Sequence, residues 1–269
     1  MIRFLLLLAE SGLIPDALIK IAATYISNRR LKEPFIHENK DKIISVLSQG
    51  AIAEKTYDAN QQHYEVPPEF FNYVLGENLK YSCSFFDDEN SLNEAEKNML
   101  NLYIDRADIQ NGLEVLDLGC GWGSFSLYVA AKYPNTNITS VSNSSDQITF
   151  INKEAQKRGL SNINALRMDV NNLDLNKKFD RIISIEMFEH VRNYKLILKA
   201  LNNVIKPDGK LFIHIFCHNK LTYFYEMKNS YDWMTKYFFQ GGIMPSKDIF
   251  EHFDDDFKIV NQWDINGNH

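Results

Sequence analysis

The sequence predicts an α/β fold, a mostly parallel sheet with helices on both faces, and two observations carry that prediction. Between residues 113 and 217 short apolar runs alternate with segments of helical periodicity, the rhythm of strands joined by crossover helices. The first run, Leu113-Glu114-Val115-Leu116-Asp117-Leu118, passes directly into Gly119-Cys120-Gly121-Trp122-Gly123-Ser124, a glycine turn between a buried strand and a helix.

In chain order, residues 1–60 read as helices interrupted at Pro15 and Pro34, without strand alternation. The Phe4-Leu5-Leu6-Leu7-Leu8-Ala9 run is too short to span a bilayer and has no convincing signal cleavage site; it reads as an amphipathic helix, packed on the domain or lying at a membrane surface. Next come His63-Tyr64-Glu65-Val66-Pro67-Pro68, a short aromatic helix and Lys80-Tyr81-Ser82-Cys83-Ser84-Phe85-Phe86. A helix follows over Glu94 to Ile104, with Met99, Leu100, Tyr103 and Ile104 as its apolar side. Within the alternating region, strands are expected to end at Leu118 and to cover 137–141, 163–168, 179–185 and 210–216. Helices are expected from Trp122, Asp146 and Tyr194, and Pro207-Asp208-Gly209 makes the turn into the last of these strands. Residues 219–250 are rich in Tyr, Phe, Trp and Met, with Gly241-Gly242 as a hinge; they read as core or as a lid over an apolar substrate, and their place after the fifth strand suits the lid. Phe257 to Ile265 reads as a further strand. The expected division is 1–110, a helical appendage and a segment covering the ligand; 111–218, the binding core; 219–250, the lid; and 251–269, the start of further strands.

Composition leaves room for this and excludes other classes. A chain of 269 residues with 45% hydrophobic content can bury one large core. Its net charge of −6 argues against a general grip on nucleic acid, which needs a basic face. Cys83, Cys120 and Cys217 are odd in number and widely spaced, as expected of reduced thiols in the cytoplasm, and none has metal-site spacing.

The spacing of the turn narrows its ligand. A dinucleotide fingerprint requires G-x-G-x-x-G and an acidic residue about 20 positions on. Here the glycines fall as G-x-G-x-G, and the second strand runs out into Ser142-Asn143-Ser144-Ser145-Asp146-Gln147. No Gly-Lys-Ser/Thr follows, which excludes a Walker loop. The turn is then either purely structural or suited to an uncharged or cationic ligand whose charge Asp117 offsets; S-adenosylmethionine, with its sulfonium and ammonium groups, fits.

Ligands of such sheets bind outside the carboxyl ends of the strands. After the third strand, Asp169 can accept from an adenine amino group and the Val170 backbone can meet the ring, or Asp169 is simply a capping residue. After the fourth, Glu186, Glu189 and His190 stand at i, i+3 and i+4, so one helical turn would place all three on one face. Such a face suits proton handling, although a surface turn with a capping glutamate has the same spacing. The fifth strand carries His214 to His218.

Taken together, His63-Tyr64-Glu65-Val66-Pro67, Tyr81-Ser82-Cys83, Leu116 to Ser124, Val141-Ser142-Asn143-Ser144, Glu186-Met187-Phe188-Glu189-His190 and His214-Ile215-Phe216-Cys217-His218 resemble the cyclopropane-fatty-acid synthase family of S-adenosylmethionine-dependent methyltransferases. The likeness covers nearly the whole chain and is nearest to the branch of plant coclaurine and pavine N-methyltransferases. It implies a Rossmann-like class I methyltransferase fold with an N-terminal helical appendage and a helical lid. It implies that Tyr81 and Ser82 close over the cofactor, that Gly119 and Gly121 approach its methionine part, that Asn143 and Gln147 lie near the ribose, and that Asp169 and Val170 hold the adenine. Glu186, Glu189 and His190 match positions around the acceptor amine in the N-methyltransferase branch. In the synthase branch the positions of Cys83, Glu189 and His214 instead help hold bicarbonate, and this sequence departs there, with Phe216 in place of the usual isoleucine. The implied fold continues with a strand between Phe257–Ile265 and the fifth strand, so the sequence is expected to be part of a longer protein.

The expected reaction is methyl transfer to a small or amphipathic amine, with His190, oriented by Glu186 or Glu189, accepting the proton. The alternatives are methylene transfer to unsaturated phospholipid, with Leu5 to Ile19 and Tyr223 to Phe239 approaching a membrane, and an inactive partner subunit that only binds the cofactor. No metal and no nucleic acid are expected; peripheral membrane contact and a homodimer are compatible with the sequence.

Overall fold

The computed structural model describes residues 2–32, 40–54, 68–87, 91–227 and 232–265. The motifs His63-Tyr64-Glu65-Val66-Pro67 and Asn266-Gly267-Asn268-His269 lie outside these residues.

Five parallel strands form the central sheet: β1 (Glu114–Leu118), β2 (Asn137–Ser142), β3 (Ile163–Arg167), β4 (Phe179–Ile185) and β5 (Ile205–His214), in the order β3-β2-β1-β4-β5. Chain direction across the sheet reverses between β1 and β4, which opens a crevice at their carboxyl ends. Register is continuous there, with Leu116 opposite Ile182 and Asp117 opposite Ile183.

The helices are α1 (Ile2–Glu10), α2 (Asp16–Lys32), α3 (Lys40–Val46), α4 (Pro68–Val74), α5 (Leu92–Arg106), α6 (Ser124–Lys132), α7 (Ser145–Lys157) and α8 (Tyr194–Asn202). Because strand side chains alternate, each strand feeds two cores. On one face Leu116, Leu118 and Ile182 pack with Ile43 of α3, with Leu47 just past its end, and with Tyr194, Ile197, Leu198 and Leu201 of α8. On the other, Val115, Ile138, Ile183 and Phe212 pack with Met99, Leu100, Tyr103 and Ile104 of α5 and with Phe125, Val129 and Ala130 of α6. Helix α5 begins at a capping box, Ser91 with Glu94, two residues before the expected start. Among the described residues no helix is long and apolar enough to cross a membrane.

Three expectations change. Pro207-Asp208-Gly209 lies inside β5 rather than ahead of it, as a register irregularity after the Phe179–Ile205 pair. The segment after β5 is built from a short antiparallel ladder, β6 (Tyr223–Phe224) with β7 (Ile243–Met244), and from single helical turns at Thr235–Phe239 and Ile249–His252. The strand expected over Phe257–Ile265 does not form. A strand exists through a hydrogen-bonded neighbour, and here a cleft of about 1520 Å³ runs between this segment and the outer edge of β5. Trp263 anchors the segment, with its ring 6.5 Å from that of Phe212 and 5.0 Å from the guanidinium of Arg106.

Candidate active site

The carboxyl ends of the strands converge on one crevice. After β1, Gly119, Gly121 and Gly123 all adopt positive φ, at 79°, 52° and 79°. A Cβ at Gly119 would meet Met187 at 2.6 Å and one at Gly123 would meet Ile151 at 2.6 Å, whereas one at Gly121 would meet nothing within 4 Å. Helix α6 therefore starts at Ser124, not Trp122, because the glycine turn extends two residues further. Gly121 presents bare backbone to open space, the feature a closely approaching ligand requires.

After β2, Ser142 Oγ donates to Gln147 Oε1 at 2.6 Å, and Ser144 caps α7. Three buried polar atoms near the turn have no hydrogen-bond partner among the described residues: Trp122 Nε1, Ser124 Oγ and Gln147 Nε2. Unsatisfied buried donors are costly, and a ligand that accepts from them removes the cost. The Asn143 carbonyl accepts from Arg167 Nε at 3.2 Å.

Asp117 is not free to offset a ligand's charge. It is buried and accepts from Ser126 Oγ at 2.6 Å, and Ser126 in turn accepts from Ser140 Oγ at 2.6 Å. Burial raises its carboxyl to about 6, against the pull of the Ser126 hydrogen bonds. Asp169 caps the turn Val170–Asn172, accepting from the Asn171 backbone at 2.8 Å and from its side-chain amide at 3.0 Å; Asn171 also ties down Ala53.

Glu186, Glu189 and His190 do not share a helical face. Glu186 directly follows β4 with φ of 49°, outside the single turn Phe188–His190, so the i, i+3, i+4 geometry does not apply. Its backbone N–H donates to the His214 carbonyl at 2.8 Å, which extends the β4–β5 ladder. Its carboxylate accepts from the Cys83 backbone N–H at 2.9 Å and lines the cleft with Cys83, His214 and Phe216. Glu189 points inward, fully buried, and accepts from the Phe216 N–H at 2.8 Å. Burial, then the charge of Glu186, holds its carboxyl well above the usual range. His190 is half-buried and stacks on Phe239 at 5.8 Å.

Tyr81 is part exposed and meets Phe71 edge-on at 5.1 Å, while Ser82 accepts a short hydrogen bond from Lys80 Nζ. Lys80 and Tyr103 were not singled out as site residues from the sequence. Lys80 is buried beneath Cys83, and Tyr103, read as part of an apolar stripe, turns its hydroxyl to His214.

Comparison with known proteins identifies the family of the chain. A family model described as mycolic acid cyclopropane synthetase covers residues 52–268. The chain belongs to that family. The cyclopropane synthetase family member is 40% identical to (S)-coclaurine N-methyltransferase of Thalictrum flavum subsp. glaucum, over 97% of this chain and 74% of that one. It is 35% identical to pavine N-methyltransferase of the same plant, over 97% and 76%. A crystal structure of coclaurine N-methyltransferase bound to N-methylheliamine and SAH superposes with a TM-score of 0.92 at 40% identity, covering all of this chain and 80% of that one. The fold is that of a class I methyltransferase, and the chain is an S-adenosylmethionine-dependent methyltransferase. The open backbone at Gly121 and the partnerless donors of Trp122, Ser124 and Gln147 fit that cofactor.

Proposed function

We propose that this methyltransferase N-methylates a small or amphipathic amine. The reading is supported above all by the likeness, along 97% of the chain, to (S)-coclaurine N-methyltransferase. When bound, S-adenosylmethionine supplies a methyl group already activated by its sulfonium, so the protein's tasks are alignment, exclusion of water and handling of one proton.

Gly119 and Gly121 seat the methionine part, Asn143 and Gln147 the ribose, and Asp169 with Val170 the adenine; Tyr81 and Ser82 cover the cofactor. Glu186, at the carboxyl end of β4, attracts the ammonium form of the acceptor. His190, at the end of the turn Phe188–His190, takes the proton directly or through water, a contribution of about 10²–10⁴-fold for such a base. Glu189 is a positioning residue: buried and drawn toward its neutral form, it holds the Phe216 backbone and so one wall of the cleft. Residues 1–110 cover the ligand side, 111–218 bind the cofactor and 219–250 form the lid; the enzyme works in the cytoplasm as a monomer or homodimer, with at most peripheral contact to membranes.

The test is incubation with labelled cofactor and separate pools of amines and unsaturated phospholipid. Label is expected in the amine pool, lost when Glu186→Gln and His190→Asn are combined. Label appearing as a methylene in phospholipid would assign the alkene chemistry instead.

A further inference from the structure

Beneath the cleft a line of buried polar groups runs from Lys80 through Tyr103 to His214. Lys80 is 3% exposed, and its ammonium donates to Ser82 Oγ, to the Cys83 carbonyl at 2.7 Å and to the Tyr103 hydroxyl at 3.2 Å. An ammonium has three N–H groups and no acceptor, so all three are used and the Tyr103 oxygen must be the acceptor in that contact. The Tyr103 oxygen lies 2.8 Å from His214 Nδ1. Tyr103 is fully buried, and Ser82 acts on its oxygen as a second donor beside Lys80, which directs the hydroxyl's own proton to that nitrogen. Strand alternation explains the meeting: His214 and Phe212, two apart on β5, face the side of the sheet on which α5 lays Tyr103.

We propose that Lys80 and Tyr103 are a positioning pair that locks His214 in the tautomer protonated on Nε2, so that His214 presents an N–H donor, not a base, to the cleft. His214 Nε2 is 3.8 Å from Cys83 Sγ, and a polar atom of each of Cys83, Glu186 and His214 falls within 4.8 Å of the other two. With Nδ1 occupied as acceptor and Nε2 carrying the proton, His214 has no lone pair to offer there. Two consequences follow. Proton acceptance from a substrate falls to Glu186 and His190. The Cys83, Glu186 and His214 trio, which has the spacing of a cation site, lacks an imidazole lone pair for a cation in this tautomer. The surroundings agree: burial, then Lys80 and Arg106, lowers the imidazole to about 4, and burial, then Glu186, raises the Cys83 thiol to about 11, so both stay neutral.

The inference deepens the amine-methylation reading and rests on it only for its kinetic consequence. The primary test reads the unmodified protein: the ring nitrogens of ¹⁵N-histidine-labelled protein are observed by long-range proton–nitrogen NMR, and His214→Asn serves only to assign the His214 signals by their loss. A pyridine-type Nδ1 and a pyrrole-type Nε2 at neutral pH are expected; the opposite pattern overturns the proposal. In Tyr103→Phe and in Lys80→Met the tautomer ratio is expected to move; an unchanged ratio in a folded Lys80→Met protein refutes the pairing. Kinetically, Lys80→Met is expected to lower kcat about 10–100-fold, the scale of losing a group that orients a ligand-facing histidine, with KM for the cofactor unchanged and partial rescue by Lys80→Arg. Titration with Co²⁺ alone is expected to give no thiolate-to-cobalt band, and such a band that disappears in His214→Asn counts against the tautomer. A failed amine assay beside the expected NMR pattern refutes the substrate reading and leaves the tautomer standing.

Discussion

Glu189 accepts the backbone N–H of Phe216 at 2.8 Å while its second oxygen, Oε2, is buried and has no hydrogen-bond partner among the described residues. One oxygen therefore holds the stretch after β5 in place, and the other makes the ionised form costly. Glu189→Gln keeps the acceptor and removes the charge. It is expected to preserve or raise the melting temperature at neutral pH, with kcat reduced less than in Glu186→Gln; a loss of activity as large as that of Glu186→Gln would give Glu189 a direct chemical part.

Asp117 supplies a pH dependence with a definite sign. Its folded value of about 6 lies above the ordinary 3.8, so the folded state keeps the proton longer. Below about pH 4 both states are protonated and the contribution is complete; it is lost as pH rises to about 6 and stays lost above. The shift corresponds to about 3 kcal/mol. Asp117→Asn is expected to flatten the stability curve between these limits, measured by denaturant midpoints at several pH values; identical curves for the two proteins would refute it.

The glycine turn separates folding from binding. Gly121→Ala meets only backbone strain of about 1–2 kcal/mol, because no atom lies near the added methyl. It is nevertheless expected to weaken cofactor binding more than tenfold by calorimetry, since the methyl enters the ligand's approach. Gly119→Ala, whose methyl would collide with Met187, is expected to lose more stability than Gly121→Ala.

Glu186 holds a left-handed conformation that costs a non-glycine residue stability. Glu186→Gly is expected to raise stability by up to about 1 kcal/mol while abolishing most methyl transfer. A destabilised Glu186→Gly protein would show that the Cys83 hydrogen bond outweighs the strain.

At Asp169, cap and ligand roles can be told apart. Asn keeps one acceptor for the Asn171 N–H but places an amide donor where a second carboxylate oxygen stood. Asp169→Asn is expected to fold as the parent and bind the cofactor about tenfold more weakly, a hydrogen bond's worth of about 1–1.5 kcal/mol. Parental affinity would remove Asp169 from the adenine site.

What could be read in advance follows physical lines. Strands β1 to β4 were legible because buried parallel strands are short apolar runs bounded by turns, and Glu186, Glu189 and His190 were legible as a cluster from spacing alone. Their directions were not, since helical spacing presumes helical φ at Glu186. Lys80 has no periodic signal between Leu79 and Tyr81, and the hydroxyl of Tyr103 is hidden inside an apolar stripe whose ring alone satisfies the pattern. The alternation over Phe257–Ile265 describes a segment able to pair, and pairing depends on a neighbour that alternation cannot supply.

The in-register pairing of Asp117 with Ile183 makes the sheet a ruler. The glycine turn begins two residues past Asp117 and Glu186 stands three past Ile183, so the span between the proposed donor seat and the carboxylate is set by backbone ladders. A slip of one residue would move that span by about 3.3 Å and turn the flanking side chains to the opposite face. Acceptor preference can therefore drift through changes in the segments that roof the crevice, while the distance a methyl group must cross stays the same.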